Sequence, residues 1–449
     1  RFCQAFTNNP TPHNPFVMLR LCLLSAALML AALFPSRSNA LKPREMPDTF
    51  LIPERAVIAT GSPEHAGALV AILYDTRDLH FTDPSSPRFL FLDREGKVAL
   101  GIGGYIKGTA QYDFDGAIDD GASFITYDIP VPANPAQKEQ FYGNANHSTL
   151  FLQLVGRSPR FGYYQVYAQT QFTGGGKGGY GLTLKQAYLK VGYVTAGLAN
   201  STFVDASAGT PVIDDQGPSG EMSRKNVLVR YAPRFSDHIS GGIGIEMPAV
   251  SMTTDASTAK INPRVPDLPL YVQYEWGGGN NHLRFSALWR NQSYRDLKTA
   301  RNRFSTGWAL QLSGLAHLTK NFAIYYEGAC GRGYGSYLND LSGNGMDLVY
   351  SPEEGKMKSP AMSNLEVGFR YDASSKVYFS GLYSEVRTYK LGYLGPDTYK
   401  SSRYVGASGY YKLASDLTIG LEYLWGHRKN YSGAGNHANR VIALLQYSF

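Results

Sequence analysis

Basic side chains recur at alternate positions in this chain, in segments where the intervening residues are apolar. Arg284, for example, lies between Leu283 and Phe285. Because fixed positive charges gathered on one face would attract small anions, this pattern predicts an anion-attracting surface. The residues predicted to line it are Lys107, Lys190, Arg224, Arg230, Arg284, Arg290, Arg370 and Arg440. The alternative for each single residue is a solvated side chain with no special role.

The segment Ser201–Arg224 is long, punctuated by Gly and Pro, and acidic at Asp205, Asp214, Asp215 and Glu221. Acids opposite a basic wall would create a transverse field that orients dipolar solutes. We therefore predict that this segment is a constriction loop folded into a pore. A plain exposed loop is the alternative.

Other chemistry has little support in the sequence. There is no H-E-x-x-H motif, no G-x-S-x-G elbow and no paired histidine spacing. The tract Gly174–Gly179 contains a lysine but lacks the Ser or Thr of a phosphate-binding loop. We therefore expect no catalysis, no metal and no cofactor, while a Ser/His site on a barrel rim stays open as a minor alternative. The net charge of +7 falls to +4 without residues 1–40, which hold three arginines and no acids, and this excess is too mild to imply nucleic acid.

The elements that would position these residues alternate with a period of two, which is the period of a β-strand. The runs are about ten residues long, and aromatic residues such as Trp289 and Trp425 gather at their ends. This arrangement is typical of transmembrane barrels with aromatic girdles. We predict an all-β, antiparallel transmembrane barrel of roughly 16 strands, with the inward-folded constriction loop. The final alternating run ends the chain at Phe449, which we interpret as the outer-membrane assembly signal read by the barrel assembly machinery.

The alternation also predicts which faces contact lipid. A charge at mid-depth on the lipid face costs about 2–4 kcal/mol, so the charged positions are expected inside. The residues expected to face lipid are Ile102, Tyr164, Val229, Phe285, Phe369 and Leu445. Long connections, including Asp115–Asn146, Met247–Asp267, Asp340–Ser363 and Lys390–Ser401, are expected to be extracellular loops.

The N-terminal part of the sequence is predicted to contain three segments that precede the barrel. Residues 1–17 precede the candidate start Met18 and are interpreted as an upstream extension that is not translated. Residues 18–40 have the basic, apolar and small-residue regions of a secretory signal peptide. Residues 41–96 are rich in proline and are predicted to form a periplasmic extension with little core of its own. The barrel is predicted to occupy residues 97–449.

Two stretches carry a family resemblance. Ser201-Thr202-Phe203, leading to Gly217-Pro218-Ser219-Gly220 and then to the run 226–231, resembles the DcaP-like porins. So does the run 89–92 leading into 101–105. The lead-in resembles members from Bacteroides-type bacteria. The resemblance implies a trimeric barrel in the bacterial outer membrane that passes small, often dicarboxylic, anions. Some members carry an N-terminal coiled coil, but residues 41–96 here are broken by prolines.

These observations together predict a porin, a passive diffusion channel for small hydrophilic solutes with a preference for anions. The expected partners are the lipid bilayer, two further copies of the chain, the assembly machinery and small anionic solutes. The alternative is a barrel-anchored surface adhesin or a structural outer-membrane protein. An energy-coupled receptor is not expected, because its larger barrel and plug need a longer chain.

Overall fold

Residues 57–58, 63–84, 86–118, 121–175, 179–389 and 393–449 are described by the computed structural model. The predicted upstream extension (1–17) and signal peptide (18–40) lie outside the described residues. So do most of residues 41–62.

The secondary structure is nearly all β. A single α-helix precedes long strands that follow the alternating runs of the sequence, and single 3₁₀ turns lie at Thr126–Asp128, Ala206–Ala208 and Gly335–Tyr337 among the described residues. In chain order the elements are β1 (Val57–Ile58), α1 (Pro63–Leu73), β2 (Phe89–Leu92), β3 (Val98–Asp115), β4 (Lys138–Asn144), β5 (Thr149–Ser158), β6 (Gly162–Gly174), β7 (Gly181–Val191), β8 (Val194–Asn200), β9 (Lys225–Tyr231), β10 (Ile239–Glu246), β11 (Met252–Thr253), β12 (Thr258–Lys260), β13 (Leu268–Trp276), β14 (Asn281–Asp296), β15 (Arg301–Thr319), β16 (Phe322–Arg332), β17 (Leu348–Ser351), β18 (Lys356–Lys358), β19 (Ala361–Asp372), β20 (Val377–Thr388), β21 (Tyr399–Lys412), β22 (Leu417–Asn430) and β23 (Gly435–Ser448). Within the described chain, no helix is long and apolar enough to cross a membrane.

The strands close into a barrel. Each barrel strand pairs antiparallel with the next, and β23 pairs back onto β3 with Leu445 opposite Gly108. β4 and β5 pair with the two halves of β3 and share one position in the wall. Over the described residues the wall therefore has 16 strand positions: β3, β4 with β5, β6 to β10, β13 to β16 and β19 to β23. This confirms the predicted fold.

Of the six residues predicted to face lipid, four are exposed on the outer surface, and Ile102 and Tyr164 are half-buried. Phe285 is 47% exposed on the outer surface, whereas its neighbour Arg284 is 8% exposed inside. Val229, Phe369 and Leu445 are likewise exposed outward. Because side chains of a strand alternate between faces, one period-two pattern places apolar residues toward lipid and polar residues toward the lumen.

The two ends of the barrel differ. At one end, which we call the short-turn end, all connections between strands have two to seven residues. The long connections lie at the other, the long-loop end, together with short turns such as 297–300 and 431–434. Besides the constriction loop, other long connections also fold inward. The connection after β3 places Phe124 and Ile129 inside the barrel beside the constriction loop 201–224. The connection after β16 does the same with Tyr334–Leu341. These side chains are largely buried. The connections Asp115–Asn146 and Asp340–Ser363, expected only as extracellular loops, therefore also fill the lumen.

The N-terminal segment joins the barrel instead of standing apart from it. Leu69 and Leu73 of α1 pack against Leu90, Ala99 and Val155, which lie at the short-turn end. β2 pairs antiparallel with the start of β3. The extension predicted at 41–96 thus packs against the inner wall in its described part.

Candidate permeation pathway

The constriction loop enters the lumen where β8 ends. A hydrogen bond joins the two ends of the loop: the Ser201 N–H donates to the Arg224 carbonyl at 2.8 Å. Gly217 adopts a left-handed φ of 78°, and a Cβ there would lie 2.5 Å from a carboxylate oxygen of Glu221. Only glycine fits this close turn. The loop is buried over nearly its whole length, as predicted for an inward-folded segment.

Carboxylates of the barrel wall hold the backbone of this loop. The Thr202 N–H donates to Glu246 at 2.6 Å, and the Met222 N–H donates to Glu327 at 2.5 Å. Each such hydrogen bond is worth about 0.5–1.5 kcal/mol. Four buried acids make such bonds: Glu246, Glu327, Glu366 and Glu422.

Sequence reasoning missed these four wall acids. A signal was present, because Glu422 stands between the outward-facing residues Leu421 and Tyr423. An acid at an inward position of a strand needs a donor once a loop covers it. The loop's own N–H groups supply that donor here.

Each loop acid has polar partners. Asp205 accepts from His282 at 2.8 Å and from Ser313 at 2.7 Å. Burial alone would raise the pKa of Asp205, but the charges and hydrogen bonds of His282, Arg284 and Ser313 hold that pKa well below its usual range. Asp205 is therefore an ionised anchor of the loop.

The other three acids differ in environment. Burial raises the pKa of Asp214 to about 6, although Arg440 opposes the shift, and the Tyr404 hydroxyl donates to Asp214 at 3.1 Å. Asp215 contacts Lys107 Nζ at 2.6 Å, with His147 3.7 Å away. Glu221 contacts His80 Nε2 at 2.7 Å. The loop therefore presents little unpaired negative charge.

Two of the predicted pore-lining arginines are completely buried. Arg290 contacts Asp267 at 3.0 Å and Asp347 at 2.9 Å, and so ties two long connections to the wall. Arg440 contacts Asp113 at 2.5 Å and also donates to backbone carbonyls of the inward-folded connection after β3. Neither guanidinium borders open space, because an additional loop covers each one.

Other predicted bases lie under or away from the loop. Lys107 donates to the Ile213 carbonyl at 2.8 Å, and Arg284 donates to the Thr202 carbonyl at 2.5 Å while its guanidinium lies 3.8 Å from the ring centre of Tyr271. Arg370 lies near the short-turn end, 2.7 Å from Asp372. The structure therefore does not bring the predicted bases together as one cluster.

Three predicted bases remain. Arg230 donates to the Asn200 carbonyl at 3.3 Å, and Arg224 donates to Asn226 at 2.8 Å, so both lie close to the ends of the constriction loop. Lys190 lies on the inward face of β7, opposite Gln165 of the neighbouring strand β6.

A cavity of about 90 Å³ lies between the wall, the constriction loop and the N-terminal segment. In the described part of the chain, its lining includes the side chains of Lys185, Arg224 and Lys225 and the carboxylates of Asp83, Asp215 and Glu221. Within the described residues, none of these three bases forms an ion pair with a carboxylate. Polar side chains of Gln169, Gln171 and Asn200 complete this side of the lining.

Lys185 was not predicted. Strict alternation from the inward-facing Gln186 would place Lys185 toward lipid. However, the pairing of β6 with β7 shifts register between Gln169 and Thr170, and this irregularity leaves Lys185 without an opposite residue. A β-bulge re-aims side chains in this way, and period-two patterning cannot reveal it. In the described part of the chain, no three His, Cys, Asp or Glu side chains are grouped as a metal site.

Comparisons with known proteins agree with this geometry. The sequence pattern of the porin subfamily matches residues 102–445. No curated protein sequence matches the chain significantly.

Solved structures share the fold. The outer membrane channel DcaP of Acinetobacter baumannii is 17% identical, with 79% of this chain and 98% of that chain covered and a TM-score of 0.70. The anion-selective porin from Comamonas acidovorans is 10% identical, with 79% of this chain and 100% of that chain covered and a TM-score of 0.50. The trimer form of OmpT from Vibrio cholerae is 11% identical, with the same coverage and TM-score.

Proposed function

Because this chain belongs to the porin subfamily, we propose that its pore passes small hydrophilic solutes by passive diffusion and prefers anions such as dicarboxylates. The protein is a porin of the bacterial outer membrane, with a barrel like that of DcaP. The solute preference and the assembly state go further than this family membership.

The observation that carries the anion preference is the group of three Lys and Arg side chains on one side of the cavity. Lys185, Arg224 and Lys225 have no carboxylate contact within the described residues, whereas Asp215 contacts Lys107, Glu221 contacts His80, and Asp83 accepts a hydrogen bond from Gln186. An unpaired cation in a narrow lumen is screened less than one on an open surface. These three side chains therefore favour entry of carboxylates.

The fold neighbours support the same proposal in a general way. One of them is itself described as anion-selective, and another was solved as a trimer. We propose that this chain forms a homotrimer and that the barrel assembly machinery recognises its C-terminal Phe449. No cofactor takes part in passive diffusion.

The proposal is tested by reversal potentials in planar bilayers across a salt gradient. The wild-type channel is expected to be anion-selective, most strongly at low ionic strength, where screening is weakest. Replacing Lys185 and Lys225 with Gln should shift the reversal potential toward cation selectivity. A wild type that is already cation-selective would refute the preference for anions.

A matched control is Lys97→Gln. Lys97 is 67% exposed in the turn between β2 and β3, away from the cavity, so its removal should leave selectivity unchanged. If no conductance is measured at all, the porin assignment itself gives way to the alternative of a surface adhesin or structural barrel.

A further inference from the structure

We propose that residues 75–84, which we call the strap, cross the lumen and set the size limit of the solutes that pass. This inference rests on the proposed channel function. It assigns to the N-terminal segment a role in solute selection, because the strap forms one side of the cavity that holds the unpaired bases.

The strap spans the barrel from one side to the other. It begins after α1, which packs on the wall at β3 and β5. Arg77 then lies within 3.5 Å of the Gly278 carbonyl, in the turn between β13 and β14. Counted from β3, those two strands are at the eighth and ninth of 16 wall positions, directly opposite. The chain then returns to β2 beside β3.

The middle of the strap contacts the constriction loop and the wall. His80 Nε2 lies 2.7 Å from a carboxylate oxygen of Glu221, and both side chains are largely buried. The Tyr105 hydroxyl donates to the Thr82 carbonyl at 2.9 Å. Gln186 donates to Asp83 at 3.2 Å. The strap is thus held at its centre as well as at its ends.

Two glycines leave the space that the strap needs. A Cβ on Gly209 of the constriction loop would lie 2.8 Å from His80 Nε2 and 3.4 Å from the Phe81 ring. A Cβ on Gly101 of β3 would lie 2.7 Å from Pro87, just beyond the strap. Larger residues at these sites would push the segment away from the wall and the loop.

The position of the strap has a direct consequence for permeation. His80, Thr82 and Asp83 line the same cavity as Lys185 and Lys225. A solute at these bases therefore lies between the strap and the wall. Shortening the strap side chains widens this gap without altering the wall.

The test uses the full-length protein with His80→Ala and Asp83→Ala combined. We expect single-channel conductance to rise about two-fold, and liposomes to swell faster in larger sugars, because the narrowest gap becomes wider. Glu95→Ala is the matched control, since Glu95 is 66% exposed in the turn before β3. That variant should keep wild-type conductance.

His80→Ala alone provides a second, milder variant if the double variant does not fold, and a smaller rise is expected from it. Folding of each barrel is checked by heat-modifiable gel mobility. Wild-type conductance and size limit in the folded variants would overturn the role of the strap while leaving the porin proposal intact. A wild-type protein without conductance would refute both.

Discussion

Glu422 and Asp214 are joined by a hydrogen bond in which the Asp214 N–H donates to the Glu422 carboxylate at 2.7 Å. The other carboxylate oxygen accepts the Ile213 N–H at 3.0 Å and the Ser408 hydroxyl at 2.6 Å. One acid on β22 therefore fixes the middle of the constriction loop to the wall. The position of the loop depends on such wall acids as much as on its own charges.

Glu422→Ala should release the middle of the loop while leaving the barrel closed. The change leaves two buried N–H groups without an acceptor, which costs about 1–3 kcal/mol for each group. We expect a noisier open-channel current with added subconductance levels, measured in planar bilayers. Glu385→Ala is the control, because Glu385 pairs with Arg387 away from the loop. A quiet, wild-type current from Glu422→Ala would show that the loop is held by other contacts.

Arg440→Met should destabilise the barrel rather than change its selectivity. The substitution leaves Asp113 buried without its charged partner, which costs roughly 3–5 kcal/mol. We expect the temperature of heat-modifiable conversion to fall, and to recover in part when Asp113→Leu is added. The exposed pair of Arg387 and Glu385 should contribute at most about 1 kcal/mol in the same assay. Unchanged thermal stability in Arg440→Met would contradict this structural role.

The barrel and its register could be predicted from the sequence because period-two patterning acts residue by residue. The inward loop was predicted instead from its length, its Gly and Pro residues and its acids. Period-two patterning also placed Arg290 and Arg440 correctly on the inner face. It could not reveal that long-range folding of other connections covers both guanidinium groups, since the partners Asp347 and Asp113 are far away in sequence. Whether an inward base borders open space depends on such tertiary contacts.

The residues that line the cavity were harder to predict, for two further reasons. Lys185 points inward only because of an irregularity in strand pairing, which a strict alternation hides. The Pro-rich segment around His80 shows no periodicity, so nothing in its pattern indicated that it would cross the lumen. The most informative missed signal was the acid at an inward strand position, as at Glu422.

Phe285→Arg should impair assembly, because a charge on the lipid face costs about 2–4 kcal/mol at mid-depth. Phe369→Arg is expected to behave in the same way. Arg284→Gln, one residue away on the inner face, should leave a folded, heat-modifiable barrel. The measurement is the folded fraction of each variant in outer-membrane preparations. If Arg284→Gln unfolded the protein and Phe285→Arg did not, the lipid-facing register would be refuted.

Asp214 should make barrel stability depend on pH. Burial raises the pKa of this carboxyl from its ordinary 3.8 to about 6 in the folded protein. The folded state therefore binds a proton more tightly than the unfolded chain, and the resulting stabilisation is fully present below about pH 4 and is lost as pH rises through 6. The contribution is on the order of 2–3 kcal/mol, at about 1.4 kcal/mol per pKa unit.

The measurement is thermal unfolding of detergent-solubilised barrels between pH 4 and pH 7, comparing wild type with Asp214→Asn. An amide cannot titrate, so the variant should lose this part of the pH dependence, and the stability difference between the two proteins should change across that window. The exposed Asp93→Asn serves as the control and should follow the wild-type curve. Parallel curves for wild type and Asp214→Asn would mean that Asp214 stays ionised throughout, because Arg440 and Tyr404 then outweigh its burial.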